Sequence, residues 1–248
     1  MPSGLPHLPG WVIAAFIQAA REVAGVLSDA FSLTLDGELV LVVGDVSDKG
    51  VGAALYMTLF RTLLRAVTGL DELTSRLEGS TVTVGGPIND YDEILKNAIA
   101  LTNQYVAENH GQSSVFASIF FAVLDQVTGS LHYINGGHEP PIIFGAGGVK
   151  NALMPTGPVV GVLPEADFTV GDARLEPDDT LLVFTDGVTE AQNSDGEMFG
   201  EERLLGLLAP PTETAQALLD RVTFAVREHT GQAEQFDDIT MLAVRRKQ

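Results

Sequence analysis

Three carboxylates stand at the ends of apolar, strand-like runs, where they could bind a metal ion. They are Asp45 after residues 39–43, Asp186 after residues 181–184, and Asp237 just before residues 239–244. Carboxylates at buried strand ends repel one another and are costly to desolvate unless a cation lies between them. The three runs together therefore predict a metal site.

Each of these carboxylates also has a simpler interpretation. Asp45 and Asp186 could simply begin glycine-containing turns, and the pair Asp237-Asp238 could be a solvated loop. Lys49 does not complete a P-loop, because no Gly-x-x-x-x-Gly-Lys-[Ser/Thr] pattern precedes the helix. His138 has no serine or cysteine partner motif, so we expect it to hold a turn through hydrogen bonds.

Composition excludes several classes of function. The 248 residues include 14 Lys and Arg against 33 Asp and Glu, for a net charge of −19, which argues against nucleic-acid binding and against binding to anionic membrane surfaces. Cysteine is absent, which excludes disulfides, zinc thiolate sites and a cysteine nucleophile. The sequence shows neither a bilayer-spanning apolar run nor a signal-peptide pattern, so a cytoplasmic location is expected.

The elements that must position these residues form an α+β pattern. Hairpin-like strand pairs alternate with two long helices, over residues 52–67 and 91–108, which favours helices packed outside largely antiparallel sheets. Residues 27–31 and 39–43 are predicted to pair across the turn at 36–37, and residues 142–144 are predicted to continue the sheet of the hairpin formed by 116–124 and 131–134. We expect a single domain over residues 1–248, with a lead-in segment at 5–11 and a loop insertion at 69–90. The apolar stripe of the first helix is predicted at Leu55, Leu59, Leu63 and Val67, and that of the second at Ile94, Leu95, Ala98, Leu101 and Tyr105.

The order of four motifs along the chain is more informative than any single motif. They are Gly-Asp-Val-Ser at 44–47, Asn-Gly-Gly-His at 135–138, Thr-Asp-Gly-Val at 185–188 and Asp-Asp-Ile-Thr at 237–240. This succession resembles the metal-dependent serine/threonine phosphatases, the protein phosphatase type 2C (PP2C or PPM) family. It is most similar to the bacterial branch that controls sporulation and stress responses. The resemblance covers nearly the whole chain except residues 69–90.

The resemblance implies a layered β-sandwich flanked by helices (α-β-β-α), with a two-metal Mn²⁺ or Mg²⁺ centre at one edge. By analogy, Asp45 bridges both metals and the carbonyl of Val46 ligates the second. Asp186 and Asp237 complete the shell of the first metal, and Asp238 lies just outside it. The all-oxygen donor set agrees with these hard cations.

Two positions near residue 25 need separate treatment. Arg21 stands where some relatives have a phosphate-binding arginine, although an ion pair with Glu22 is the alternative. Relatives usually read Gly-Gly-Asp-Phe-Tyr-Asp at the end of this stretch, and their first aspartate, a ligand of the second metal, falls on Val26 here. Asp29 matches their second aspartate and, on a regular strand, points to the opposite face from Val26. The sequence therefore predicts a normal first metal and a weak or empty second one.

Three functions remain in competition. The first is hydrolysis of phosphoserine or phosphothreonine on a regulatory phosphoprotein, such as an anti-sigma-factor antagonist, by a metal-activated water. The second is a degenerate phosphatase fold, weakened by Val26, that binds a partner without turnover. The third is hydrolysis of small phosphoesters, which the acidic surface disfavours. The helices within residues 52–108 are compatible with a homodimer, a question that the sequence leaves open.

Overall fold

The computed structural model describes residues 5–21, 24–33, 38–47, 50–78, 91–110, 115–209 and 214–248. Within these ranges the strands are β1 (Trp11–Gln18), β2 (Val26–Ser32), β3 (Glu38–Val46), β4 (Ala117–Asp125), β5 (Ser130–Gly136), β6 (Ile142–Gly145), β7 (Gly148–Ala152), β8 (Gly171–Arg174), β9 (Thr180–Phe184) and β10 (Ile239–Arg246). The helices are α1 (Val51–Glu78), α2 (Tyr91–His110), α3 (Asp186–Thr189), α4 (Glu201–Leu208) and α5 (Ala215–Thr230).

The described strands form two antiparallel five-stranded sheets. The first sheet has the order β1-β10-β9-β6-β7, and the second has the order β2-β3-β4-β5-β8. One apolar cluster fills the space between the sheets, a second lies between the second sheet and helices α1 and α2, and a third lies between the first sheet and helices α4 and α5. This four-layer α-β-β-α arrangement confirms the predicted fold class.

Strand β3 carries Asp45 and is buried on both faces. Leu41 and Val43 pack in the cluster between the sheets, whereas Val40 and Val42 pack under helices α1 and α2. This double burial explains why the strand reads as a continuous apolar run. Because side chains alternate along a strand, Asp45 continues the face of Leu41 and Val43 that looks toward the other sheet.

Helix α1 extends further than its sequence pattern indicated. Residues 69–78 are helical, so the loop predicted for residues 69–90 is wrong for this part, and residues 79–90 lie outside the described residues. A glycine inside a helix costs only about 1 kcal/mol relative to alanine. Gly69 is therefore tolerated, and good helix formers such as Leu70 and Glu72 follow it.

The buried faces of both long helices differ from the predicted stripes. In α1 the buried residues include Met57, Phe60 and Leu64, whereas Leu55 is 68% exposed. In α2 the predicted core residues Ile94, Leu95 and Ala98 are buried. The predicted Leu101 and Tyr105 are exposed, and Ile99 and Val106 are buried instead. Leucine favours helices whether it is buried or exposed, so the sequence was compatible with more than one choice of buried helix face.

The sheet assignment of β6 also differs from the prediction. The sequence suggested that residues 142–144 continue the sheet of the preceding hairpin, β4 and β5. In the structure β6 pairs with β9 and belongs to the first sheet. Strand β7 and the short helices α3 and α4 were not predicted.

Asp29 lies on β2 and faces helix α1, which confirms that it points away from the Val26 face. Its carboxylate is 2% exposed and accepts hydrogen bonds from Arg61 Nε at 2.9 Å and Arg65 Nε at 2.5 Å. Burial alone would raise the pKa of Asp29, but the hydrogen bonds and charges of Arg65 and Arg61 outweigh it and hold the pKa below its ordinary value of 3.8. This ion pair connects α1 to β2, the strand whose first residue, Val26, lies opposite Asp45.

Asp29→Asn is expected to lower the free energy of unfolding at pH 7 by about 2–4 kcal/mol, because two guanidinium groups lose a buried counter-charge. The folded-state pKa of Asp29 is depressed, so its contribution is present above pH 3.8 and is lost as the pH falls through the folded-state pKa. Urea unfolding at pH 7 and pH 3 measures both effects. Equal losses in Asp29→Asn and the exposed control Asp167→Asn would contradict this role.

Candidate active site

Asp45 and Val46 lie at the end of β3, where hydrogen bonds to both neighbouring strands fix the backbone. Asp45 is directly opposite Val26 on β2 and Ser118 on β4. The amide of Val46 donates to the carbonyl of Gly25 at 3.2 Å. The strand end is therefore held rigidly, with Asp45 on the face between the sheets.

Asp186 begins α3 directly after β9 and reaches the same end of the sandwich from the first sheet. The hydroxyl of Thr185 donates to the carbonyl of Asp238 at 3.1 Å, which joins the end of β9 to the start of β10. A Cβ atom on Gly187 would lie 2.2 Å from the same carbonyl. Glycine is therefore required where the Asp186 turn packs on the Asp237-Asp238 segment.

Two cavities receive the predicted ligands. A cavity of about 220 Å³ is lined by Asp45, Asp186 and Val46, the residue whose carbonyl is the predicted ligand. Asp237 instead lines a cavity of about 330 Å³, whose wall also includes Gly187. The structure thus brings Asp45 and Asp186 to one cavity and places Asp237 on an adjoining one.

The predicted ligands are not gathered as tightly as a closed metal cage. Among the described residues, Asp45, Asp186 and Asp237 do not bring three donor atoms within 4.8 Å of one another, whereas a group elsewhere in the chain does. Mg²⁺ commonly keeps several waters and uses only one or two carboxylates. An open, all-oxygen set of this kind fits a hydrated Mg²⁺ or Mn²⁺ ion.

Acidic groups accumulate around the smaller cavity. Burial raises the pKa of Glu139, which also lines the cavity, and the charges of Asp186, Glu190 and Glu201 raise it further. A region that disfavours ionisation of one more carboxyl group has a negative potential. Such a potential favours a cation and opposes a bare phosphate group.

Asp238 has a different role from its neighbour Asp237. Its two carboxylate oxygens accept hydrogen bonds from the amides of Ala20 and Gly25, both at 2.6 Å. The side chain is 5% exposed and connects the end of β1 to the start of β2. This arrangement suits the position just outside the metal shell that the resemblance implied.

Val26 and Arg21 lie on either side of this connection. Val26 is buried and places an apolar side chain opposite Asp45, at the position where the resemblance implied a carboxylate. Arg21 is exposed at the turn after β1, and Glu22, its alternative partner, lies outside the described residues. No bulge in the register of β2 and β3 brings Asp29 to the position of Val26.

His138 connects the turn after β5 to the cavity. Its backbone amide donates to Asn135 Oδ1 at 2.8 Å within the turn, and its side-chain Nδ1 lies 2.9 Å from Ser118 Oγ on β4. The imidazole is 2% exposed and lines the cavity of Asp45 and Asp186. Ser118 and Glu139 line the same cavity, and no sequence pattern had indicated either of them.

The imidazole of His138 is neutral at physiological pH. Burial lowers its pKa from 6.5 to about 4, although the nearby carbonyl of Phe184 favours the protonated ring. Between pH 6.5 and 4 the unfolded chain therefore binds a proton that the folded protein does not. The stability due to this histidine is present above pH 6.5 and is lost as the pH falls.

We expect the free energy of unfolding to lose about 3 kcal/mol from this source between pH 6.5 and 4. His138→Gln keeps a polar side chain at this position but cannot take up the proton, so its stability should depend less on pH in this range. Urea titrations from pH 4 to pH 7 in the presence of a chelator measure the difference. Identical pH profiles for the two proteins would contradict a buried neutral histidine.

Comparisons with known proteins show which sequences this chain resembles. The family model described as Stage II sporulation protein E (SpoIIE) matches residues 35–247. Protein IcfG of Synechocystis is 41% identical over 99% of this chain and 39% of its own length. The phosphoserine phosphatase RsbU of Bacillus subtilis is 23% identical over 95% of this chain and 63% of its own length. The chain thus spans less than two thirds of these two relatives.

Solved structures with the same fold give a similar result. The RsbU and RsbW domains of a Mycobacterium tuberculosis protein superpose with a TM-score of 0.72 at 28% identity, covering 98% of this chain and 63% of that one. The PP2C phosphatase domain of SpoIIE from Bacillus subtilis gives a TM-score of 0.74 at 17% identity, covering 95% and 63%. No helix among the described residues is long and apolar enough to span a bilayer.

Proposed function

Since this chain belongs to the SpoIIE family of PP2C-type phosphatases, we propose that it hydrolyses phosphoserine or phosphothreonine in a partner protein. The observation that carries the proposal is the meeting of Asp45, from the second sheet, and Asp186, from the first sheet, on one cavity of about 220 Å³. A divalent cation at this place explains why two buried strand ends both finish in a carboxylate.

The residues that would hold Mn²⁺ or Mg²⁺ are Asp45, Asp186, Asp237 and the carbonyl of Val46. Such an ion supplies an activated water and neutralises the charge of the phosphoryl group. The protein holds the carboxylates in place through the paired end of β3 and the tight packing of Gly187 on Asp238. Asp238 in turn holds the β1–β2 connection through the amides of Ala20 and Gly25. The exposed Arg21 at that connection would contact the substrate phosphate, as the resemblance implies.

A serine nucleophile is the alternative mechanism, because Ser118 Oγ lies 2.9 Å from His138 Nδ1 in the same cavity. The pKa of His138 is about 4, so its imidazole is a weak base at neutral pH. No carboxylate among the described residues hydrogen-bonds the other ring nitrogen, as an orienting group would. Both observations favour water as the nucleophile.

A degenerate, non-catalytic binding module is the second candidate function. It is favoured by Val26, which puts an apolar side chain directly opposite Asp45. We place the active phosphatase first because Asp45, Asp186 and Asp237 stand in the sequence motifs that resemble the family, so that Val26 is the single departure among the expected carboxylate ligands.

The expected substrate is a phosphorylated regulatory protein, such as an anti-sigma-factor antagonist, in the cytoplasm. The curated relative RsbU is named a phosphoserine phosphatase. A net charge of −19 repels small anionic phosphoesters at long range, whereas a protein substrate can offset this with contacts of its own. A homodimer is compatible with the exposed apolar residues of α1 and α2, such as Leu55 and Leu101.

The direct test is release of inorganic phosphate from a phosphoserine-containing anti-sigma-factor antagonist, with Mn²⁺, with Mg²⁺ and with a chelator. Turnover that requires the metal and exceeds turnover of an aryl phosphate supports the proposal. No turnover at saturating Mn²⁺, combined with tight binding of the phosphoprotein, would favour the binding module. Faster turnover of the aryl phosphate would favour a small-molecule hydrolase.

A further inference from the structure

A second group of metal-binding side chains lies away from the candidate active site. Asp92 is in the first turn of α2, His132 is in β5 and Asp172 is in β8. His132 is paired with Val123, which packs under helices α1 and α2, so its side chain is on the helix-facing side of the second sheet. Asp45 is on the opposite face of that sheet.

The three donor atoms converge on one point. His132 Nδ1 lies 3.0 Å from Asp92 Oδ1 and 3.0 Å from Asp172 Oδ1, and all three atoms lie within 4.8 Å of one another. Two ligands that each lie about 2.1 Å from a metal are about 3.0 Å apart at the right angle of an octahedral shell and about 3.4 Å apart at the tetrahedral angle usual for Zn²⁺. The observed 3.0 Å equals the octahedral spacing, and an outward shift of about 0.4 Å in these partly exposed side chains gives the tetrahedral one.

A hydrogen-bonded ion pair explains this geometry less well. A single ring nitrogen carries at most one proton, so it cannot make a full hydrogen bond to both carboxylates at once. Two carboxylates close together also repel each other, and a protonated imidazole supplies only one positive charge against their two negative charges. A divalent cation satisfies the nitrogen and both oxygens together.

The surroundings hold the imidazole in place and leave it accessible. The ring of Tyr91 lies 5.3 Å from that of His132, and the Tyr91 hydroxyl donates to Glu38 at 3.0 Å. The side chains of His132, Asp92 and Asp172 are 27%, 45% and 73% exposed. An ion can therefore enter from solvent and complete its coordination with water.

We propose that Asp92, His132 and Asp172 bind one divalent transition-metal ion of the Zn²⁺ type, separate from the catalytic centre. An imidazole ligand favours Zn²⁺ and related ions over Mg²⁺ and Ca²⁺, which take oxygen ligands. The ion joins the start of α2 to strands β5 and β8. Its role is to stabilise the packing of that helix on the edge of the second sheet.

The test uses the full chain carrying Asp45→Asn and Asp186→Asn, so that the candidate active site is weakened as a metal site. Zn²⁺ is added to chelator-treated protein, and the bound ion is counted by equilibrium dialysis. We expect one equivalent to bind. At about 100 times its Kd it should raise the unfolding midpoint by about 5–10 °C.

Two further variants and a control decide the outcome. His132→Gln should abolish the bound equivalent and the thermal shift, and Asp172→Asn, at an exposed position that folding does not depend on, should weaken binding at least tenfold. His7→Gln is the exposed control and should behave like the parent. Absence of Zn²⁺ binding in the parent, or an equivalent that survives both His132→Gln and Asp172→Asn, would overturn the proposal.

Discussion

Asp186→Asn is expected to lower kcat/KM for a phosphoserine protein by a factor of about 10³. Asparagine keeps the size of the side chain but removes the negative charge on the cavity that Asp186 shares with Asp45. Weaker metal binding removes several kcal/mol of transition-state stabilisation, and about 4 kcal/mol corresponds to a thousandfold change in rate. Phosphate release at saturating Mn²⁺ measures the effect.

The matched control for this substitution is Asp195→Asn, which makes the same chemical change at an exposed position nine residues along the chain. It should leave kcat/KM within about twofold of the parent, since exposed positions away from the site contribute little. Unfolding in the presence of a chelator should show that Asp186→Asn is folded and no less stable than the parent. Full activity in Asp186→Asn would contradict the assignment of this residue.

Val26→Asp is expected to raise the number of bound Mn²⁺ ions from one to two and to increase kcat/KM at least tenfold. Val26 is directly opposite Asp45, and side chains at paired positions have Cβ atoms about 5 Å apart. A carboxylate here can share an ion with Asp45. Without metal the same change brings two buried carboxylates together, so the unfolding midpoint should fall with a chelator and recover with Mn²⁺.

Val26→Asn is the control, because asparagine has the shape of aspartate without its charge. This variant should bind no second Mn²⁺ ion and should not increase kcat/KM. If the parent shows no detectable turnover and Val26→Asp does, the degenerate binding module would be favoured. An unchanged metal count in Val26→Asp would contradict the assignment of Val26 as the missing ligand position.

The fold class could be predicted from the sequence because strand patterns depend on local alternation. The paired strands β2 and β3, and the apolar runs that end near Asp45 and Asp186, follow from residue order alone. Parity along β2 also predicted correctly that Val26 and Asp29 face opposite sides. The positions of these carboxylates at strand ends could therefore be predicted from the sequence.

Features that depend on tertiary packing could not be predicted from the sequence. The two arginines that bind Asp29 are more than 30 residues away in α1, and a local pattern cannot show such a contact. Ser118 and Glu139 reach the cavity because β4 lies beside β3 and because the turn after β5 folds over its end. The sheet that receives β6 likewise depends on strand order, which hydropathy does not encode.

The most direct test of the metal centre is anomalous diffraction from crystals of the protein grown with Mn²⁺. We predict one fully occupied manganese site contacted by Asp45, Asp186 and Asp237, with little or no density for a second ion between Asp45 and Val26. The same data from Val26→Asp should show both ions. No anomalous peak at Asp45 and Asp186 in the parent, at Mn²⁺ concentrations that support phosphate release, would contradict the proposed phosphatase centre.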